Sequence, residues 1–319
     1  MVDLSDRASL DVPPSWSLAL RRILEAPGVV LVVGGTDSGK TTFCKLLART
    51  GAEAGLRVSF VDADIGQSTV GPPGCIGWAT VSKQGALTEK ALWFIGTYSP
   101  AGHLPEVITG TRTLVARALR SRAELVVVDS TGLVRGWTGY QLKTSKAQIL
   151  RPRHLAIFAG QKELGPLPLV LSTLRGVRIH RLRVPAGVRK RDPAERRAYR
   201  ETRFREFFSE CSELTFAFPD LFLWGRSWYR PGTPLTQAQR VELERRLQIT
   251  LAHAERKESM TFVVRAAREL ERYAESVPAI SRRGVRLLPV ETWKGRLCAV
   301  EREPSVCWAG VLHGDEGEF

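Results

Sequence analysis

The chain has 319 residues and a mass of 35.4 kDa, enough to bury one large core or two smaller ones. A composition of 43% hydrophobic, 25% charged and 8% aromatic residues excludes a disordered or fibrous chain. Its 47 Lys and Arg against 33 Asp and Glu leave a net charge of +14 and a pI near 10.1, which favours an acidic partner such as nucleic acid.

The first residues, MVDLSDRASLDVPPSW, show no basic region followed by an apolar one, and no apolar run approaches the roughly 18 residues that span a bilayer. The five cysteines, Cys44, Cys75, Cys211, Cys298 and Cys307, form no CxxC pair and suit a reducing compartment. The expectation is a cytoplasmic protein without a membrane partner. Apolar runs rich in β-branched residues then recur at Val29–Val33, Val58–Val61, Leu125–Val128, Leu155–Phe158 and Ile179–Val184, with helix-compatible stretches between most of them. Continuous apolar runs are how buried parallel strands read, so the predicted class is α/β, a mostly parallel sheet wound by helices. Past Phe222 the pattern fades. Trp224–Pro234 reads as a turn-rich linker, Leu235 to about Ser276 as one or two charged amphipathic helices, Val285–Val311 as strand-like and Asp315–Glu318 as an acidic end.

The strongest motif is Gly34-Gly35-Thr36-Asp37-Ser38-Gly39-Lys40-Thr41, a full GxxxxGK[ST] that follows the Val29–Val33 strand and opens a helix-compatible stretch, Thr41–Arg49. Glycines there let backbone N–H groups curl around a phosphate at a helix N-terminus. Lys40 would reach the β and γ oxygens and Thr41 would ligate Mg²⁺, with Thr42 next along the helix. The segment Gly34–Thr42 therefore predicts a nucleoside triphosphate site. A carboxylate for the metal is expected at a neighbouring strand end, either in Asp62-Ala63-Asp64-Ile65-Gly66-Gln67 or at Asp129, although a lone strand-end Asp is often only a turn or cap residue. If Asp62 and Asp64 both belong to strand geometry they point the same way, so that one could hold metal and the other accept a proton.

Charge is concentrated. Residues 151–210 hold 15 Lys and Arg against 6 Asp and Glu, so nine of the net fourteen charges fall in this segment. On its residues alone Val188–Phe208 is compatible with a solvated helix face or with a binding face, since Arg196, Arg200 and Arg203 share one side.

Five blocks occur in one order: GGTDSGKTT, DADIGQSTVGPPG (Asp62–Gly74), FIGTYSPAGHL (Phe94–Leu104), DSTGLVRGWTGYQLK (Asp129–Lys143) and RDPAERRAYRETRFREFF (Arg191–Phe208). Together they resemble the polynucleotide 5′-hydroxyl kinase family, which includes the kinase subunit of the messenger-RNA 3′-end cleavage machinery, the ribosomal-RNA processing kinase and compact archaeal and bacterial relatives. The resemblance spans about residues 28–210. It implies an N-terminal segment over 1–27, a P-loop kinase domain over 28–224 with a lid at 188–208, and an accessory α+β region over 225–319 that could dock protein partners.

By the same resemblance Asp64 and Gln67 fall on an element that activates the attacking 5′-hydroxyl and helps to hold magnesium, while Arg191, Arg196 and Arg200 fall on the lid over the triphosphate. Ser130-Thr131-Gly132-Leu133 falls on a clasp, where Ser130 replaces the family's Thr and Leu133 its Trp; Trp137 lies close by. His103, in a loop placed near the active site, either faces substrate or has no role. The aromatics Phe216, Phe218, Phe222, Trp224, Trp228 and Tyr229 either stack bases or belong to a core. The implied activity is transfer of the γ-phosphate of ATP or GTP, with Mg²⁺, to the 5′-hydroxyl of RNA more than DNA. Two other readings stay open: a nucleotide-binding assembly subunit without kinase activity, and a partitioning or metal-chaperone NTPase. Members of that last group carry an early P-loop lysine that Gly35 and Thr36 do not supply.

Overall fold

Helices covering both faces of a sheet let every position of a strand be apolar, and the all-buried run Val29–Val33 is an interior strand of such a sheet. The computed structural model describes residues 12–158, 160, 162–211, 233–248, 250–257, 260–265, 285–288, 297–303 and 306–311. The chain divides into two compact units, residues 1–210 with 299–309 and residues 211–298 with 310–319.

In the first unit α1 (Pro14–Leu24) precedes β1 (Val29–Val33), α2 (Lys40–Glu53), β2 (Val58–Ala63), β3 (Cys75–Val81), β4 (Leu87–Phe94), α3 (Leu104–Arg120) and β5 (Leu125–Ser130). Then come α4 (Gly136–Leu150), β6 (His154–Phe158), α5 (Leu167–Ser172), β7 (Arg178–Leu182) and α6 (Pro193–Phe207). The seven strands form one sheet in the order β4-β3-β2-β5-β1-β6-β7, in which β2, β5, β1, β6 and β7 are parallel. The expected α/β class holds, and all five expected strands are present, the last over Arg178–Leu182. The antiparallel pair β3 and β4, added at the edge beside β2, was not expected.

Alternate strand positions feed two cores. Leu31, Val33, Val61 and Val128 pack with Leu114, Leu142 and Leu171 from α3, α4 and α5. On the other face Val30, Val32, Phe60 and Val127 pack with Phe43 and Leu47 of α2 and with Trp16 and Ile23 of α1. The site follows from register: β5 lies between β1 and β2, and the β2–β5 pairing sets Asp62 beside Asp129 while the β1–β5 pairing sets Val32 beside Asp129. Crossovers leave a crevice at the carboxyl ends of these strands, where open α/β sheets bind ligands.

In the second unit Thr236 and Gln239 form a capping box that starts α7 (Gln237–Leu247). Here the expectation of helix from Leu235 to about Ser276 is corrected: after α7 the chain forms β9 (Leu251–Lys257) and β10 (Met260–Arg265), an antiparallel pair. With β8 (Thr233–Pro234) and β11 (Val285–Leu288) they make a four-stranded sheet. Separately, β12 (Leu297–Glu303) pairs with β13 (Val306–Val311), a pair whose residues 299–309 are counted with the first unit. Pairing with a neighbour outweighed the helix propensity of the charged residues, and Phe262-Val263-Val264, aromatic then β-branched, was the strand signal. The linker up to Gly232, the aromatics Phe216 to Tyr229 and the acidic end lie outside the described residues.

Candidate active site

The phosphate loop is held by contacts only small residues allow. A Cβ at Gly34 would lie 2.7 Å from Ser38 Oγ and 2.9 Å from Phe158 Cβ, and Gly39 takes a left-handed φ of +89° as it caps α2. Ser38 Oγ and Lys40 Nζ both donate to the Gly35 carbonyl, at 2.9 and 2.6 Å, so the buried lysine is folded back over its own loop. Across the crevice Gly132 presses on the loop: a Cβ there would meet Thr36 Oγ1 at 2.6 Å and its backbone at 2.8 Å.

Thr41 Oγ1 donates to Asp129 Oδ2 at 2.6 Å, while Asp129 Oδ1 is buried with no hydrogen-bond partner. Burial pushes the Asp129 carboxyl above its usual range, against the pull of Lys40, and the nearby Asp64 pushes it further. Asp62 is raised too, by burial and then by the Asp129 and Asp64 carboxylates. Among the described residues no three His, Cys, Asp or Glu side chains gather into a metal cage. Mg²⁺ needs none, since it is commonly held by one or two carboxylates, waters and substrate phosphates. A bare carboxylate oxygen beside a hydroxyl, in a crowded acidic pocket, fits that ion.

The two acids of the DADIGQ segment do different work. Asp62, at the end of β2, accepts from the backbone N–H of Asp64 and Val70, each at 3.0 Å, and from that of Thr69. Both of its oxygens thereby take part in folding residues 64–70. Asp64 lies one residue past β2, not in the strand as the shared-direction argument required, and its Oδ1 accepts from Gly66 N–H at 3.1 Å. Gln67 Oε1 accepts from Arg191 Nη1 at 3.0 Å.

Helix α6 begins with an Asp192–Glu195 capping box. One face carries four contacts. Arg196 Nη2 donates to Asp37 Oδ2 at 2.7 Å, which also accepts from Arg191 N–H at 3.1 Å. Tyr199 Oη donates to the Ser68 carbonyl at 3.0 Å, the Arg200 guanidinium lies 5.1 Å from the Tyr98 ring centroid, and Arg203 Nη2 donates to the Thr69 carbonyl at 3.0 Å. The Arg-rich segment thus packs one side, through Arg196, Tyr199, Arg200 and Arg203, while Arg189, Arg197 and Arg205 face solvent.

Residues 34–210 match the family model described as the mRNA cleavage and polyadenylation factor CLP1 P-loop. The chain belongs to that family. It is 29% identical over 318 residues to a polyribonucleotide 5′-hydroxyl-kinase of Pyrococcus furiosus, covering 97% of this chain and 86% of the relative. To the corresponding protein of Thermococcus kodakarensis it is 31% identical, covering 75% of this chain and 68% of the relative. A CLP1 homologue of Arabidopsis thaliana is 29% identical across 58% of this chain, which spans 44% of that longer protein.

Within this CLP1 P-loop fold, Lys40, Thr41, Asp129, Asp62, Asp64 and Gln67 come together with Arg191 and Arg196. Ser130 Oγ donates to the Val32 carbonyl at 2.5 Å and accepts from Lys143 Nζ at 2.9 Å, so the clasp is tied to both β1 and α4. Leu133 packs against the core, and Trp137 is exposed. His103 caps α3, with Nδ1 3.8 Å from Glu106 Oε1.

Four features went unread in the sequence. Trp16 of α1 is fully buried edge-on to Phe43 at 5.4 Å and Phe158 at 5.7 Å, beneath Gly39. Its signal was the Trp16, Ala19, Ile23 spacing after Pro13-Pro14. Lys143 and Lys146 on α4 are both fully buried; Lys143 also donates to the Thr131 carbonyl, whereas Lys146 Nζ has no hydrogen-bond partner. Burial lowers the Lys146 pKa to about 8, against the attraction of Asp64, Asp62 and Asp129. Tyr98 is the fourth.

Proposed function

We propose that the protein is a polynucleotide 5′-hydroxyl kinase that transfers the γ-phosphate of ATP or GTP to the 5′-hydroxyl of RNA, and less readily of DNA, in RNA processing or repair. The observation that carries this reading is one chain of contacts. The Asp64–Gln67 turn is bonded to Arg191, whose backbone shares Asp37 of the phosphate loop with Arg196. A proton acceptor, a lid and a phosphate cradle are therefore linked at one crevice, and the relatives named for this activity match most of the chain.

Phosphoryl transfer requires positioning and charge more than covalent chemistry from a protein. Lys40, released from the Gly35 carbonyl, would bind the β and γ oxygens, and the glycine-rich backbone would hold the β-phosphate. Thr41 and Asp129 would hold Mg²⁺, which when bound neutralises charge on the phosphates. Asp64 takes the proton of the 5′-hydroxyl as its oxygen bonds to the γ-phosphorus and the bond from that phosphorus to the β–γ bridging oxygen breaks, releasing the nucleoside diphosphate. Arg196, exchanging Asp37 for phosphate, and Arg191, exchanging Gln67, would steady the transferring group and exclude water. Asp62 positions the Asp64 loop and holds no substrate in this scheme. In the same reading residues 28–224 are the kinase domain and residues 225–319 an accessory region open to protein partners.

The test is incubation with γ-labelled ATP and matched strands ending in a 5′-hydroxyl or a 5′-phosphate. Label should enter only the hydroxyl strands, RNA above DNA, and Lys40→Ala should abolish it. A second reading, a nucleotide-binding assembly subunit without transfer, is favoured by Leu133, whose side chain packs inward at the clasp. Tight nucleotide binding with no label on any strand would select it.

A further inference from the structure

Tyr98 lies in the loop between β4 and α3 with 48% of its surface exposed, although it adjoins the crevice. Its backbone packs close to Gly66: a Cβ there would lie 2.9 Å from the Tyr98 carbonyl oxygen and 3.5 Å from Asp64 Oδ1, so the Tyr98 backbone and the candidate base flank a single glycine. The ring is braced. The Arg200 guanidinium lies 5.1 Å from its centroid, and Phe204 meets it edge-on at 6.1 Å with an interplanar angle of 62°. Both braces come from the same lid face that reaches Asp37 through Arg196. An exposed, cation-backed aromatic beside the acceptor's hydroxyl suits a nucleobase, because bases stack on aromatic rings and guanidinium planes without needing a matched hydrogen-bond pattern.

We propose that Tyr98, backed by Arg200 and Phe204, is the stacking platform for the base of the nucleotide whose 5′-hydroxyl is phosphorylated. The inference rests on the kinase reading above and deepens it. It assigns acceptor grip to the β4–α3 loop, across Gly66 from Asp64, and makes Arg200 a residue of the acceptor side as well as of the lid. Stacking accepts all four bases, so the platform predicts dependence on having a 5′-terminal base and little dependence on which one.

The experiment compares kcat/KM for an RNA carrying an ordinary 5′-terminal nucleotide with the same RNA carrying an abasic 5′-terminal residue that keeps its 5′-hydroxyl. Wild-type protein should prefer the base-bearing strand by about 5- to 150-fold, the range that stacking on one aromatic spans. Tyr98→Leu should erase that preference, chiefly through KM for the strand, while KM for ATP and turnover of the abasic strand stay as in the wild type. Tyr98→Phe and Tyr98→Trp should restore it. Equal losses on both strands in Tyr98→Leu would mean that the ring only docks the lid, and an unchanged preference would mean that the base lies elsewhere; either overturns the inference while leaving the kinase reading intact. Failure of the wild type to phosphorylate any 5′-hydroxyl strand would instead overturn the kinase reading and this inference with it.

Discussion

Two aspartates two positions apart illustrate how much a side chain's role depends on its partners. Asp62 accepts three backbone N–H groups and is 1% exposed, so Asp62→Ala would strand those donors. Each buried unsatisfied group costs about 1–3 kcal/mol, and a thermal unfolding scan should show a drop of several degrees. Asp64, half-buried with one backbone bond, should tolerate Asn with little change in that scan while losing transfer. The sequence placed both residues correctly near the phosphate loop but could not separate them, because hydrogen bonds from Thr69 and Val70 depend on how the following loop folds back. Gly132 was legible only as part of a motif, and its reason is that a Cβ there would come within 2.6–2.8 Å of Thr36. Gly132→Ala must displace one loop or the other and should weaken nucleotide binding by roughly tenfold in a titration, a cost typical of overpacking by one methyl.

At the level of elements, α6 starts at Asp192-Pro193 and Glu195, a local signal in the chain, yet its orientation comes from contacts no local pattern carries. Asp37, at a left-handed φ of 52°, holds Arg191 and Arg196 where a phosphate would sit. Asp37→Ala should therefore loosen α6 and the turn that precedes it in the nucleotide-free protein. Limited proteolysis should cut residues 188–192 several-fold faster than in the wild type, and ATP should restore protection. The parallel strands were readable because burial on both faces leaves only apolar residues. By contrast β4, with the pattern Leu87-Thr88-Glu89-Lys90, is an edge strand whose polar residues face outward, so it carried no comparable run. In the second unit, β9 reads as helix until its pairing with β10 is known.

Over the whole molecule, the lopsided charge is divided between inward and outward uses. Arg191, Arg196 and Arg203 are engaged with Gln67, Asp37 and the Thr69 carbonyl, so only the remaining basic surface is free to follow a nucleic-acid backbone and respond steadily to salt. Stability has its own pH signature. His154 Nε2 donates to the Ala26 carbonyl at 2.7 Å, which leaves Nδ1 to accept from His180 Nε2 at 3.0 Å and keeps both rings neutral. Burial, then the His154 ring and the Arg22 and Arg178 guanidinium groups, lower the His180 pKa to about 4. The unfolded chain therefore binds more protons between about pH 6.5 and 4, and the fold should lose stability as pH falls through that window. His180→Asn should flatten that part of a plot of Tm against pH.

The central claim is that a carboxylate just past β2 takes the proton from a 5′-hydroxyl while the neighbouring loop presents the γ-phosphate. Its most direct test is single-turnover transfer from γ-labelled ATP to a 5′-hydroxyl RNA by wild-type protein and by Asp64→Asn, with ATP affinity and unfolding temperature measured on the same samples. The account predicts rapid labelling by the wild type and a loss of at least about 100-fold in Asp64→Asn at unchanged ATP affinity and stability. Undiminished transfer by Asp64→Asn would contradict it.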